Sequence, residues 1–189
     1  LTSKGNNSIS GNLKAEGGSV IIEGKTIAVN KSRIDVSSDH NGGEIYIGGG
    51  FQGKDPKIQN AEKVFISSDT EIFADSLLKG TGGKVIIWGT LSNIYLGNTF
   101  SRGGKNFGDG GFVEISSAYG LRYRGKVNTL AENGSTGSLL LDPSNITIDD
   151  YGGTSTPAFT PFTYNPGPGE PNPCQLDYTE VQSALSSSV

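Results

Sequence analysis

A glycine pair followed by a short β-branched run occurs four times along the chain, and a worn fifth copy with one glycine and leucines follows, each time in the same frame. Gly82-Gly83-Lys84-Val85-Ile86-Ile87-Trp88 is the fullest copy. Gly17-Gly18-Ser19-Val20-Ile21-Ile22, Gly42-Gly43-Glu44-Ile45-Tyr46-Ile47, Gly110-Gly111-Phe112-Val113-Glu114-Ile115 and the shorter Gly137-Ser138-Leu139-Leu140-Leu141 repeat it. Counted from the last glycine of each copy, apolar residues stand two and four positions on: Val20/Ile22, Ile45/Ile47, Val85/Ile87, Val113/Ile115 and Leu139/Leu141. A period of two marks a strand with one face in a core. The origins fall at residues 18, 43, 83, 111 and 137, so a unit of 25 to 28 residues is interrupted once by a step of 40. Self-similarity at this period predicts a solenoid whose units bury their apolar faces against their neighbours, with an insertion in the second unit.

Each unit carries three strand signals. Ile27/Val29, Val64/Ile66, Ile94/Leu96, Leu121/Tyr123 and Ile146/Ile148 form a second inward set. Ile34/Val36, Ile72/Ala74, Thr99/Ser101 and Val127/Thr129 form a third. Gly11-Asn12-Leu13-Lys14-Ala15-Glu16-Gly17-Gly18 aligns with residues 97–104, which places Leu13 and Ala15 inward at the end of a preceding unit. An up-and-down barrel would need hairpin signals between neighbouring strands, whereas Asn41-Gly42 and Asn133-Gly134 stand at unit boundaries, where a corner is required anyway. The expected fold is all-β: a parallel β-helix of about five turns, three short strands per turn, over residues 1–150. Glycine supports it, at 29 of 189 residues, roughly twice the usual share of about 7% and without a triplet period.

The insertion, residues 48–60, is expected at a corner and projecting from the shaft. Residues 73–80 read as a short helical turn stopped by Gly80. The outward positions of the first strands, Ile21, Tyr46, Ile86, Glu114 and Leu140, are mostly apolar, with Trp88 beside them. A sheet apolar on both faces is covered on both; either the insertion or the C-terminal segment lies over this stripe, or it is a contact surface. Residues 151–173 hold six of the eight prolines, which rules out a central strand and predicts an extended linker or clasp. Residues 174–189 read as a short helix, the start of a following unit, centred on residues 178–185 with Val181, Ala184 and Leu185 on one side and Thr179 as N-cap.

A net charge of −4 and no clustered Lys/Arg segment argue against nucleic acid as a partner and against a basic membrane patch. No apolar run approaches the ~18 residues of a membrane span, so no membrane insertion by this segment is expected. The chain opens on Leu1 with no basic, apolar and small-residue leader, and we expect an internal fragment of a longer protein. Cys174 is the single cysteine, which excludes an intramolecular disulfide and a multi-cysteine metal site.

Catalytic chemistry is thinly represented. A glycosidase needs two carboxyl groups facing one sugar, one of them protonated. Asp142, Asp149 and Asp150 cluster, Asp109 lies in a Gly-Asp-Gly-Gly sequence, and Asp39, His40 and Asp55 occupy corners, where Asp is favoured because it bonds nearby backbone N–H groups. No cofactor, metal site or catalytic residue is assigned, and the chain is read as a non-enzyme. Aromatic side chains are the better candidates for ligand contact: Tyr46, Trp88, Tyr95, Phe107 and Tyr119, with Tyr123, supply flat rings that stack on sugars or dock a partner. The alternative for these rings is packing between units.

Several stretches resemble, in order, the large secreted adhesins of the filamentous haemagglutinin type, the exoproteins of two-partner secretion in Gram-negative bacteria. They include Gly49-Gly50-Phe51-Gln52-Gly53-Lys54, Ile58-Gln59-Asn60-Ala61, the run from Ala74 through Gly82-Gly83-Lys84-Val85-Ile86-Ile87-Trp88, Gly108-Asp109-Gly110-Gly111-Phe112-Val113-Glu114-Ile115-Ser116 and Gly137-Ser138-Leu139-Leu140-Leu141-Asp142-Pro143-Ser144-Asn145-Ile146. The resemblance covers residues 40–150. It implies a right-handed parallel β-helix, exported through an outer-membrane secretion pore to the bacterial surface or the medium, where it acts as a stalk that presents contact surfaces to host-cell or bacterial surface glycans or proteins. The family's N-terminal secretion domain is missing here. Two other functions remain open on this sequence: the delivery shaft of a contact-dependent toxin, and a carbohydrate-active β-helix enzyme.

Overall fold

The computed structural model describes residues 1–143, 146–149 and 174–177. Its strands are β1 (Asn6–Lys14), β2 (Ser19–Ile22), β3 (Thr26–Asp35), β4 (Glu44–Ile47), β5 (Lys63–Ile66), β6 (Glu71–Phe73), β7 (Lys84–Gly89), β8 (Ser92–Tyr95), β9 (Asn98–Phe100), β10 (Phe112–Ser117), β11 (Gly120–Tyr123), β12 (Lys126–Asn128), β13 (Ser138–Leu140), β14 (Ile146–Asp149) and β15 (Cys174–Asp177). The fold is all-β, and every strand pairing is parallel.

The glycine-led strands make a five-stranded sheet in the order β13-β10-β7-β4-β2. Its register matches the sequence frame: Val20, Ile45, Val85, Val113 and Leu139 are successive partners. From Ile45 to Ile115 the inward residues are fully buried, while Val20, Leu139 and Leu141 pack half-buried at the two ends. Burying each such side chain stabilises the fold by about 1.5–3 kcal/mol.

From the second copy on, the last glycine of each is required by close approach between units rather than by backbone conformation, whereas Gly17 of the first pair takes φ 60°. The Gly83 N–H donates to the Ala74 carbonyl within its own unit at 2.6 Å, and the Gly83 carbonyl accepts from Phe112 of the next at 3.0 Å. Gly43 and Gly111 do the same with Val36 and Lys84, and with Ser101 and Ser138. A Cβ on Gly43, Gly83, Gly111 or Gly137 would overlap the carbonyl oxygen of the equivalent glycine one unit earlier. None of the four has a positive φ.

The remaining strands form a ten-stranded sheet, ordered β12-β9-β6-β3-β5-β8-β11-β15-β14 with β1 added on β3. The second and third strand sets, expected as separate sheets, are joined because β3 runs unbroken through both, passing Lys31 at φ 47°. β1 pairs with both halves of β3, slipping register between Ile9 and Gly11. The first residues therefore supply two strands of an earlier unit, with Leu13 opposite Ile34 as aligned. Side chains from both sheets meet in one core.

Several expectations are corrected. In β8 the inward residues are Asn93 and Tyr95, partners of Val64 and Ile66, and not Ile94 and Leu96. The polar pair is tolerated inside because Asn93 Nδ2 and the Tyr95 hydroxyl are bonded, although Asn93 Oδ1 has no partner among the described residues. Asn93 Nδ2 donates to the Ile87 and Ser116 carbonyls at 2.9 and 3.0 Å, and the Tyr95 hydroxyl donates to Thr99 Oγ1 at 2.8 Å. Residues 74–80 form no helical turn; they run as a loop bridged at Ser76 to Ser38 and at Lys79 to Phe107. The insertion does not project but lies back on the outer face of the five-stranded sheet. β14 does not pair with β11, because β15 stands between them and pairs with both. Cys174–Asp177 is thus a strand and no part of a helix; the rest of the expected helix, and the Pro-rich segment, lie outside the described residues.

Candidate functional site

The outer face of the five-stranded sheet divides into a covered half and an open half. Residues 48–58 cover the first half. Gly49 and Gly53 press on the Trp88 indole so closely that a Cβ at either would overlap it, and Gly53 accepts the φ of 63° needed there. The Gln52 N–H donates to both Glu114 carboxylate oxygens at 3.1 Å, and Gln52 Nε2 to Asp142 Oδ2 at 2.9 Å. Asn60 Nδ2 closes the strap on the Gly53 carbonyl at 2.7 Å. Glu114, Ile86 and Trp88 are buried beneath it. Burial holds the Glu114 carboxyl above its ordinary range and the Asp142 charge adds to this, while the Gln52 N–H, Ser116 and Lys84 pull the other way.

The open half adjoins a groove of about 500 Å³ that follows the stacked glycines. Its floor is the backbone of Gly42, Gly82, Gly83, Gly110, Gly111 and Gly137. Thr81, Asp109, Ser135 and Thr136 enter it from the residues before these glycines, and Glu44, Lys84, Phe112 and Ser138 from those after. The last four are in register across β4, β7, β10 and β13. Tyr46 donates its hydroxyl to Glu44 Oε2 at 3.0 Å, and Lys84 Nζ stands 5.8 Å from the Tyr46 ring centre. Burial, reinforced by the Glu44 carboxylate, pushes the Tyr46 phenol up to about 12, so at neutral pH it remains a donor. Phe112 meets Phe51 of the strap at 5.9 Å between ring centres. The result is a polar, backbone-floored channel edged by an ammonium, a carboxylate and aromatic rings, able to hydrogen-bond hydroxyls and pack against a flat apolar face.

The aromatic residues named from sequence scatter over the molecule. Tyr46 is half-buried beside the groove. Trp88 is 7% exposed under the strap, and Tyr95 is 0% exposed in the core. Tyr95 stacks on Tyr123 at 5.5 Å, so neither of these two reaches a ligand. Tyr95 points inward because the β8 frame is one residue from the apolar reading, and Tyr123 of β11 is inward in the frame read from sequence. Phe107 (58%) and Tyr119 (46%) are exposed but do not line the groove. Lys84, Phe112 and Glu44 were missed; their signal was present, as the first position after each glycine pair.

The sequence-flagged acids are engaged locally. Asp109 Oδ1 accepts from the Ser135 N–H at 2.8 Å, Asp55 Oδ1 from Lys57 at 2.9 Å, and the His40 N–H is held by Ser38 Oγ at 3.1 Å. Among the described residues no three His, Cys, Asp or Glu side chains gather as metal ligands. On the opposite face, Phe73 and Phe100 stack at 4.9 Å, with the Arg33 guanidinium 3.9 Å from Phe73 and that of Arg102 5.2 Å from Phe100. With both outer ring faces occupied, this ladder braces the surface and offers no platform.

Comparison with protein-family models and with curated proteins gives no match. The functional reading therefore rests on the repeat and on the groove.

Proposed function

We propose that this chain is a segment of a right-handed parallel β-helix belonging to a secreted or surface-exposed bacterial adhesin of the filamentous haemagglutinin type, exported by two-partner secretion. In this reading it is a structural stalk whose groove and adjoining edge contact cell-surface glycans or proteins. The observation that carries it is the repeated register: the first inward position pairs in parallel through five consecutive units and the second through four, over one core, and the corner glycines leave a channel beside them. Such stacking extends by adding units at low cost in new contacts, as a stalk demands.

The test is retention of labelled chain on a broad array of host and bacterial glycans, with Lys84→Ala and Phe112→Ala beside the parent. Saturable binding that either substitution abolishes supports the groove as the contact surface. Binding unaffected by both refutes that assignment, and no retention on any glycan reduces the segment to a spacer. Glu44 and Asp109 share the groove, which keeps a carbohydrate-active enzyme as the second reading. It predicts product release that Glu44→Gln or Asp109→Asn abolishes.

A further inference from the structure

The two Asn-Gly pairs differ in a way the sequence does not show. Asn41-Gly42 is locked between units. The Gly42 N–H donates to the Thr81 carbonyl at 3.0 Å, and Asn41 Oδ1 accepts the Thr81 N–H at 2.9 Å. Gly42 also lies so close to the Ala74 carbonyl and the Gly83 amide that no Cβ would fit. Among the described residues Asn133-Gly134 is held by the preceding unit alone, whose Gly108 carbonyl likewise leaves no room for a Cβ on Gly134. Asn133 Nδ2 donates to the Lys105 carbonyl at 2.8 Å and its own carbonyl accepts from Gly108 at 3.3 Å. Both residues are exposed, and among the described residues the Gly134 N–H has no acceptor.

From this contrast we infer that Asn133 is a spontaneous deamidation site two residues before the groove-lining Ser135, and that Asn41 is protected by stacking. The deprotonated Gly134 backbone nitrogen attacks Asn133 Cγ; the new C–N bond closes a five-membered imide, the Cγ–Nδ2 bond breaks, and ammonia leaves. Water then opens the ring to aspartate or isoaspartate. The step needs a glycine on the C-terminal side, where no side chain blocks the approach, and a backbone free to bring nitrogen and Cγ together. Asn41 meets the first condition but not the second. Each hydrogen bond freed lowers the reactive population by up to roughly tenfold; Asn41-Gly42 must free two, at the Gly42 N–H and at Asn41 Oδ1, and Asn133-Gly134 one, at Asn133 Nδ2.

The product changes the groove. A carboxylate at position 133 cannot donate to the Lys105 carbonyl and repels it, so one of the hydrogen bonds between the 102–110 and 130–137 loops is lost while those from Gly103, Gly110 and Ser135 remain. Ser135 and Thr136, which line the groove, are carried on the second loop.

The test is incubation of the folded chain at mildly alkaline pH, with peptide mapping by mass spectrometry at both sites and a parallel sample in concentrated urea. We expect deamidation at residue 133 to exceed that at residue 41 by roughly tenfold in the folded chain, and the two rates to converge in urea. Asn133→Asp should speed proteolysis at Lys105 while leaving the melting temperature unchanged. Equal rates at the two sites in the folded chain, absence of reaction at Asn133, or a difference that survives in urea would each overturn the inference.

Discussion

Replacing Gly83 with alanine separates two explanations of the glycine repeat by the sign of the effect. Gly83 has no positive φ, so conformational preference alone would make Gly83→Ala stabilising by about 0.4–1 kcal/mol through the unfolded chain. The structure predicts the opposite. A methyl group there would stand 2.8 Å from the Gly42 carbonyl carbon and 3.0 Å from Ala74 Cβ, and closer still to the Gly43 carbonyl oxygen. These are backbone or backbone-fixed atoms in two directions, with no flexible side chain to yield. Overpacking costs about 1–3 kcal/mol where neighbours relax, and here the upper end is expected, because relief requires separating two hydrogen-bonded units. At about 2–4 °C per kcal/mol for a chain of this size, the melting temperature should fall by roughly 6–12 °C. Gly5→Ala is the control, since nothing lies within 4 Å of its added methyl. Circular-dichroism melts of the three chains decide the matter. Gly83→Ala melting at or above the parent would refute the close-approach argument and return the repeat to a matter of turn conformation.

Four further outcomes are expected. Tyr95→Phe removes the hydroxyl shared between Thr99 Oγ1 and the Lys126 carbonyl and leaves the buried Thr99 hydroxyl short of a partner, at about 1–3 kcal/mol, measurable by urea unfolding; no change would place that hydroxyl in contact with water. Because burial raises the Glu114 pKa, the folded chain holds that proton more tightly than the unfolded one. Stability contributed there should decline as pH rises from the ordinary carboxylate value of about 4.3 through the raised folded value. Glu114→Gln should flatten that part of the profile, and superimposable urea midpoints for parent and variant at every pH would contradict it. Ile87→Asp sets an unpartnered charge between the sheets and should melt several units together; an unchanged cooperative transition would count against its inward placement. Trp88→Ala removes what the strap rests on, so tryptic cleavage at Lys54 and Lys57 should accelerate while glycan retention is unaffected, and equal cleavage rates would show the strap held by Glu114 and Asp142 alone.

Much of the fold was legible because strand periodicity and corner glycines are local signals. The five glycine-led strands, the positions Ile34, Ile72, Thr99 and Val127, and the earlier unit carrying Leu13 all stand where the pattern put them. β8 was misread because alternation assigns the apolar residue inward, whereas Asn93 and Tyr95 are stabilised inside in part by partners 23 and 31 residues away, which no local window contains. The candidate surface was less legible. Aromatic rings drew attention as ligand contacts, yet ring type does not distinguish a stacked core tyrosine from a surface one.

What the sequence determined alone is the repeat: the spacing of glycines and β-branched residues dictates parallel strands in register, because only that arrangement buries every inward pair and satisfies the backbone between units. Tertiary structure decided what covers what. Whether residues 48–60 project or fold back depends on Gln52 finding Glu114 and Asp142, 62 and 90 residues away, and on Gly53 finding Trp88. Those contacts divide the sheet's outer face into a buried half and an open groove, and they form only once the units have stacked.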